Sequence, residues 1–269
     1  MMTKRLCWLL GLWLGCWYGL PAQKIQSLQL GTGTSYYYGD LSDGLETVWL
    51  RPSLSLQYEH MFSPHWSLRA GGSLMQVGGS DLGSSLESRQ RRALQFRNTL
   101  TELSLTGVFT LIQDRSYRIR WKKQFYLSPY FFAGLTGFFH QPRAPQDGNW
   151  VRLQPLGTEG QFLGLNNEPG SYNLFQIALP FGLGIRTRLN RDIGLGLELG
   201  YRYLFTDYLD DVSTMYPDRQ QVLEKNGAQA AYFSNPSGQD YPAGSPRGNP
   251  ESLDSYVVFQ LNFIYYIRR

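Results

Sequence analysis

Three carboxylates fall within five residues at Asp207-Tyr208-Leu209-Asp210-Asp211, and oxygen ligands at that density can hold Ca²⁺. No loop glycine or bidentate glutamate stands at a calcium-loop spacing, so a solvated acidic turn that caps a loop accounts for them as well. Histidine is scarce: His60, His65 and His140 are the whole supply. His140 with Asp210 or Asp211 would make a water-activating pair, whereas a lone histidine beside aromatic rings ordinarily serves structure. No phosphate loop, zinc-ligand spacing or nucleophile elbow occurs in the chain. The sequence therefore predicts no enzyme and no cofactor. A different chemistry is offered by Arg115, Arg118, Arg120, Lys122 and Lys123, interleaved with Tyr117, Ile119 and Trp121. Such a segment anchors at a membrane interface, its cations on lipid phosphates and Trp121 at headgroup depth. It equally offers a docking site to a periplasmic protein, and the two roles can coexist.

The elements that must carry these groups are strands. Residues 193–205 read IGLGLELGYRYLF and alternate strictly, the period of a β-strand with two unlike faces. Ile193, Leu195, Leu197, Leu199, Tyr201, Tyr203 and Phe205 share one face. The other holds Gly194, Gly196, Glu198, Gly200, Arg202 and Leu204. A soluble barrel would turn its Leu/Tyr face inward and carry Lys, Asp and Thr outside. A polar face that is half glycine suits a cramped, hydrated interior, and an apolar face ending in aromatics suits lipid. Seven further segments repeat the pattern, at about 27–38, 50–60, 66–77, 100–112, 126–139, 174–187 and 255–267. In the fifth of the eight, Phe132 and Phe138 fall inward. In the sixth, Pro180 cannot donate to a ladder and predicts a bulge. None of the five lysines lies in a predicted strand.

The fold class is thus all-β, an eight-stranded antiparallel up-and-down transmembrane β-barrel. It must close, because hydrocarbon offers the backbone no hydrogen-bond partner. At this strand number side chains fill the interior, and a diffusion channel is not expected. Inward projection brings Glu59, Arg69, Glu102, Arg186, Glu198 and Arg202 into one lumen, three acids against three guanidiniums. Buried charges need partners, so a plug of salt bridges is the natural reading, with conduction or a proton pathway as its alternative. Three connections, about 61–65, 113–125 and 188–192, meet one side. Four longer ones, about 39–49, 78–99, 140–173 and 206–254, meet the other. Short periplasmic turns and long outer loops are the expected asymmetry. The last loop, rich in Pro, Gly, Asn and Ser, is expected to be mobile or ordered by a partner.

Residues 1–22 read as a signal peptide: Lys4 and Arg5, an apolar stretch from Leu6 to Gly15, and a small residue at Ala22 for cleavage. Residues 23–269 then form the barrel and its loops. Cys16 raises a lipoprotein alternative, but Trp13 and Leu14 make a poor lipobox. Both cysteines, Cys7 and Cys16, lie in this leader, leaving the mature chain no disulfide and no thiolate metal site. No later apolar run reaches the ~18 residues of a membrane helix. The net charge of +4 is too mild to imply nucleic acid.

Several stretches resemble the PorG-like outer-membrane barrels of Bacteroidota. They are YYYGDLSD (36–43), RPSLSLQYEHMFSPHWSLRAG (51–71), QFRNTLTELSLTGVF (95–109), PYFFAGLTGFFHQPRA (129–144), ALPFGLGIRTRLN (178–190) and GLGLELGYRYLFTDYLDDVS (194–213). The resemblance implies a non-enzymatic component of the type IX secretion system. Its partners would be outer-membrane lipids and a periplasmic ring of a lipoprotein with its partner subunit. It supplies no catalytic residues. Read from the residues alone, a stand-alone surface barrel binding envelope or host ligands through its long loops is the alternative. Arg268-Arg269 depart from the terminal aromatic that barrel-assembly machinery reads, which moves that signal to Phe263 and Tyr265.

Overall fold

The structure is a computed structural model that describes residues 25–44, 47–112, 127–164 and 170–267. Eight strands form the wall: β1 (Ile25–Tyr38), β2 (Arg51–Met61), β3 (Trp66–Ser80), β4 (Gln95–Thr110), β5 (Ser128–Phe139), β8 (Phe175–Arg188), β9 (Ile193–Leu204) and β10 (Ser255–Ile267). Each pairs antiparallel with its neighbours, β3 with β4 on one side and β1 with β10 on the other, so the sheet closes on itself. A short hairpin, β6 (Pro142–Gln146) and β7 (Asn149–Arg152), branches from the upper end of β4. The expected leader, residues 1–22, and the basic segment 115–123 lie outside the described residues.

The alternation seen in the sequence sets which way each side chain points. On β9, Gly194, Gly196, Glu198, Gly200, Arg202 and Leu204 are buried. Leu197, Leu199 and Tyr203 are exposed, as are Leu54, Leu103 (74%), Leu135 (61%), Phe181 and Phe259 around the wall. So much exposed apolar surface in a continuous belt has only one solvent that tolerates it. The protein is a membrane-embedded β-barrel of the outer-membrane type. Among the described residues no helix is long and apolar enough to cross a membrane.

The bulge expected at Pro180 is absent. Strands β8 and β9 pair without a break through Pro180↔Arg202. On the other side the β5–β8 ladder passes from Ala133↔Phe181 to Thr136↔Ala178 in unchanged register, skipping Gly134 and Leu135. The missing N–H of proline is absorbed by two unmade pairs instead of an inserted residue. Phe132 and Phe138 do point inward and are buried.

Glycine makes room for the luminal rings. A Cβ on Gly184 would sit 2.3 Å from Tyr130 Cζ, and one on Gly182 2.6 Å from Phe132 Cζ. Gly184→Val is therefore expected to displace Tyr130 and destabilise the barrel by about 1–3 kcal/mol. A lower urea midpoint for unfolding in micelles is the readout, and an unchanged midpoint would show that the ring yields freely.

The long-loop end is closed by a folded cap, contrary to the mobility that the composition of the last loop suggests. Helices α1 (Arg219–Asn226) and α2 (Ala228–Ser234) bury Val222, Ala230 and Ala231 against Leu163 of the preceding long loop. Asp218 caps α1 by accepting from the Gln220 and Gln221 amides. Arg247 Nη1 meets Glu159 Oε1 at 2.9 Å in full burial. Leu209 and Val212 enter the barrel mouth, packing with Tyr37, Met75, Phe96, Leu100, Phe138 and Tyr256. An apolar cluster and a buried ion pair supply the ordering that Pro- and Gly-rich composition conceals.

Candidate functional site: the luminal charge network and the carboxylate cap

Six charged side chains of the lumen meet in three pairs. Arg69 Nη1 lies 2.6 Å from Glu198 Oε2, and Arg186 Nη1 lies 2.9 Å from Glu59 Oε1. Arg202 Nη2 stands at 3.7 Å from Glu102 Oε2, a looser contact. Each pair reaches across the interior, from β2, β3 or β4 on one wall to β8 or β9 on the other. The remaining valences are filled by neutral donors and acceptors. Glu59 accepts from Ser67 Oγ (2.5 Å) and Gln29 Nε2 (2.7 Å). Glu198 accepts from the Tyr130 hydroxyl at 2.8 Å, and Glu102 from the Tyr256 hydroxyl. Arg186 donates to Thr110 Oγ1 at 2.7 Å. The Tyr130 ring lies between two guanidiniums, 5.9 Å from that of Arg69 and 5.1 Å from that of Arg186. Charge-assisted bonds of this kind keep buried ions in place. Sequence alternation points these six inward and sets Gln29 on the same polar face; the hydroxyls of Tyr130 and Tyr256, which it does not single out, complete the set.

The three aspartates 207, 210 and 211 do not converge. Asp211, in the left-handed region at φ 70°, accepts from Thr158 Oγ1 and the Tyr172 hydroxyl, both at 2.5 Å. Asp210 Oδ2 accepts from the Tyr37 hydroxyl at 2.6 Å, and Asp254 Oδ1 lies 2.8 Å from the same hydroxyl. Asp207 is buried beside Ser213. Among the described residues no three His, Cys, Asp or Glu side chains are grouped to hold a metal. One phenol proton cannot serve two carboxylates. Holding Asp210 and Asp254 on Tyr37 together requires a second proton, on a carboxyl that donates to the phenol oxygen. Burial accordingly pushes the carboxyls of Asp254 and Asp207 up to about 8, and that of Asp210 well above the usual carboxylate range, with the charge of Asp254 adding to the last two. Asp211 rises only to about 6, burial outweighing the adjacent Arg247 guanidinium.

His140 is fully buried and turned away from these acids. Its Nε2 lies 3.2 Å from the Asn173 carbonyl, its Nδ1 3.3 Å from Asn98 Nδ2, and its ring stacks on Tyr172 at 6.1 Å. Burial lowers its pKa to about 4, so it is neutral, with Nε2–H donating and Nδ1 accepting. No water-activating pair is assembled at His140. His65 bonds the Thr110 carbonyl through Nδ1 at 2.7 Å.

The family model described as a domain of unknown function, DUF6089, matches residues 6–152 and 153–228. The chain belongs to the DUF6089 family. No curated protein matches the sequence. Solved structures similar to this DUF6089 barrel include Ail, the attachment invasion locus protein of Yersinia pestis (11% identity, 91% of this chain and 100% of that one, TM-score 0.42). OprG from Pseudomonas aeruginosa (10%, 91% and 97%, 0.44) and Neisserial surface protein A (7%, 89% and 96%, 0.43) are others. The barrel assignment itself rests on the closed ladder of this DUF6089 chain and its apolar belt.

Proposed function

We propose that this non-enzymatic barrel is an outer-membrane component of the type IX protein secretion machinery, held at its short-turn end to a periplasmic ring of a lipoprotein and its partner subunit. The observation that supports it most is the interior: a lumen filled by cross-wall ion pairs and an apolar mouth suits an anchor, not a conduit. The luminal network then keeps the wall in shape and carries no protons. The reading draws further on the resemblance of residues 36–43, 51–71, 95–109, 129–144, 178–190 and 194–213 to PorG-like barrels. Residues 1–22 serve export, and Arg115, Arg118, Arg120, Trp121, Lys122 and Lys123 meet the ring and the lipid phosphates together.

The test is crosslinking in outer membranes, gentle detergent purification of the tagged barrel, and mass spectrometry of what accompanies it. Stoichiometric recovery of a ring lipoprotein is expected. Neutralising Arg118, Arg120, Lys122 and Lys123 should abolish that recovery and secretion while the barrel still inserts. Recovery of the barrel alone, from a preparation whose ring is intact, would end the assignment. A second reading, ligand binding by the loops, is favoured by the folded cap with its own buried cluster. Deleting residues 220–250 with loss of adhesion and normal secretion would select it.

A further inference from the structure

On the outer wall at the long-loop end, arginines stand opposite one another across successive strands. Arg97 of β4 pairs with Arg143 of β6, which pairs in turn with Arg152 of β7. On its other side Arg97 pairs with Gly78 of β3. The side chain missing there leaves space for Arg51, whose Nε lies 3.7 Å from where a Cβ would be, near enough for its charge and that of Arg97 to repel. Like charges directly opposite destabilise a sheet. Among the described residues, no carboxylate stands within ion-pair distance of any of the four; the ion pairs engage other arginines. Arg97 instead lies over the Trp150 ring at 4.2 Å and Arg51 over Trp49 at 4.9 Å. The Nε atoms of both Arg51 and Arg97 are buried without an acceptor, a deficit that a folded protein rarely leaves unfilled.

A cleft of about 320 Å³ opens between Arg97, Arg143 and Trp150, completed by Thr99, Thr101 and Phe139. Thr99 and Thr101 are followed outward on β4 by Leu103, so the cleft sits directly above the apolar belt. We propose that it binds the phosphate group of a membrane lipid headgroup in the leaflet at the long-loop end. Guanidiniums match phosphate oxygens with paired N–H donors, and one phosphate in the cleft gives the Arg97 and Arg143 guanidiniums that line it a shared acceptor and relieves their mutual repulsion. Tryptophan at this depth is the usual neighbour of lipid headgroups. The belt below takes the acyl chains, which a free phosphate in solution does not have.

The full-length protein, refolded in dodecylmaltoside micelles, is titrated with three probes: lipid A carrying its phosphates, the same lipid with them removed, and inorganic phosphate. Thermal stability is read by heat-modifiable migration. The phosphorylated lipid is expected to raise Tm, and the other two to leave it unchanged. Arg97→Gln combined with Arg143→Gln should weaken the apparent Kd for phosphorylated lipid by about tenfold or more. Its Tm without lipid should equal or exceed that of the parent, because the like-charge contact is gone. Should that variant fail to fold, Arg97→Lys keeps the charge and loses the fork, and weaker binding is again expected. Equal protection by both lipids, equal protection by inorganic phosphate, or unchanged affinity in the variant that folds would each overturn the proposal.

Discussion

Replacing Glu59 by alanine is expected to destabilise the folded barrel by about 3–5 kcal/mol, the range for stranding one member of a buried ion pair. Glu59 is wholly buried and takes bonds from Arg186, Ser67 and Gln29. Without it, Arg186 keeps, among the described residues, the Thr110 hydroxyl and the face of Tyr130, and the guanidinium of Arg69 shares the same lumen. Urea unfolding in micelles, followed by tryptophan fluorescence, measures the loss. Removing both charges together, as Glu59→Leu with Arg186→Met, should recover most of it, because an apolar pair of similar volume needs no counter-ion. A loss under about 1 kcal/mol for Glu59→Ala would mean that water reaches Arg186 freely and the plug is open.

Raising the pH is expected to loosen the cap while the wall stays intact. Asp254 and Asp207 are pushed up to about 8 from an ordinary 3.8, and Asp210 also rises. The folded cap therefore holds protons that the opened chain has already released. Its stability is full below about pH 4 and declines as pH rises toward about 8. The groups facing this cluster do not reverse the sign. Asp40 and Glu159 add negative charge, Tyr37 donates its one proton to one carboxylate and accepts from the protonated other, and the Arg92 and Arg247 cations are engaged with Asp81 and Glu159. Hydrogen-exchange protection of residues 205–254, corrected for intrinsic rates, should fall by about tenfold per pH unit for each proton released. Asp254→Asn should flatten the profile, since the amide donates to Tyr37 without titrating. A flat profile in the parent would remove the shared proton.

What the sequence revealed and what it hid divide along a physical line. Strand β9 was legible because membrane and lumen impose opposite demands on alternate residues, and that demand is written at period two. The same rule assigned Glu198 and Arg202 inward without any knowledge of their partners. The cap was hidden because its stability comes from meetings that no local pattern announces, such as Arg247 with Glu159 and Tyr37 with Asp210 and Asp254. Its Pro, Gly and Ser content describes the turns, not the contacts between them. The arginine row was hidden for another reason. Strand β4 begins at Gln95, five residues before the apolar alternation becomes visible at Leu100, so Arg97 read as loop. Pro180 misleads in the opposite direction, because a missing donor leaves pairs unmade without requiring an extra residue.

The three ion pairs run from β2, β3 and β4 to β8 and β9, so they act as spokes. A hollow cylinder flattens under side pressure by bending its wall, but one braced across its diameter must first stretch or break the braces. Crowding by neighbouring proteins or a pull on one end therefore meets a cross-section that resists becoming oval. The braces hold the cross-section round along the stretch of wall they span.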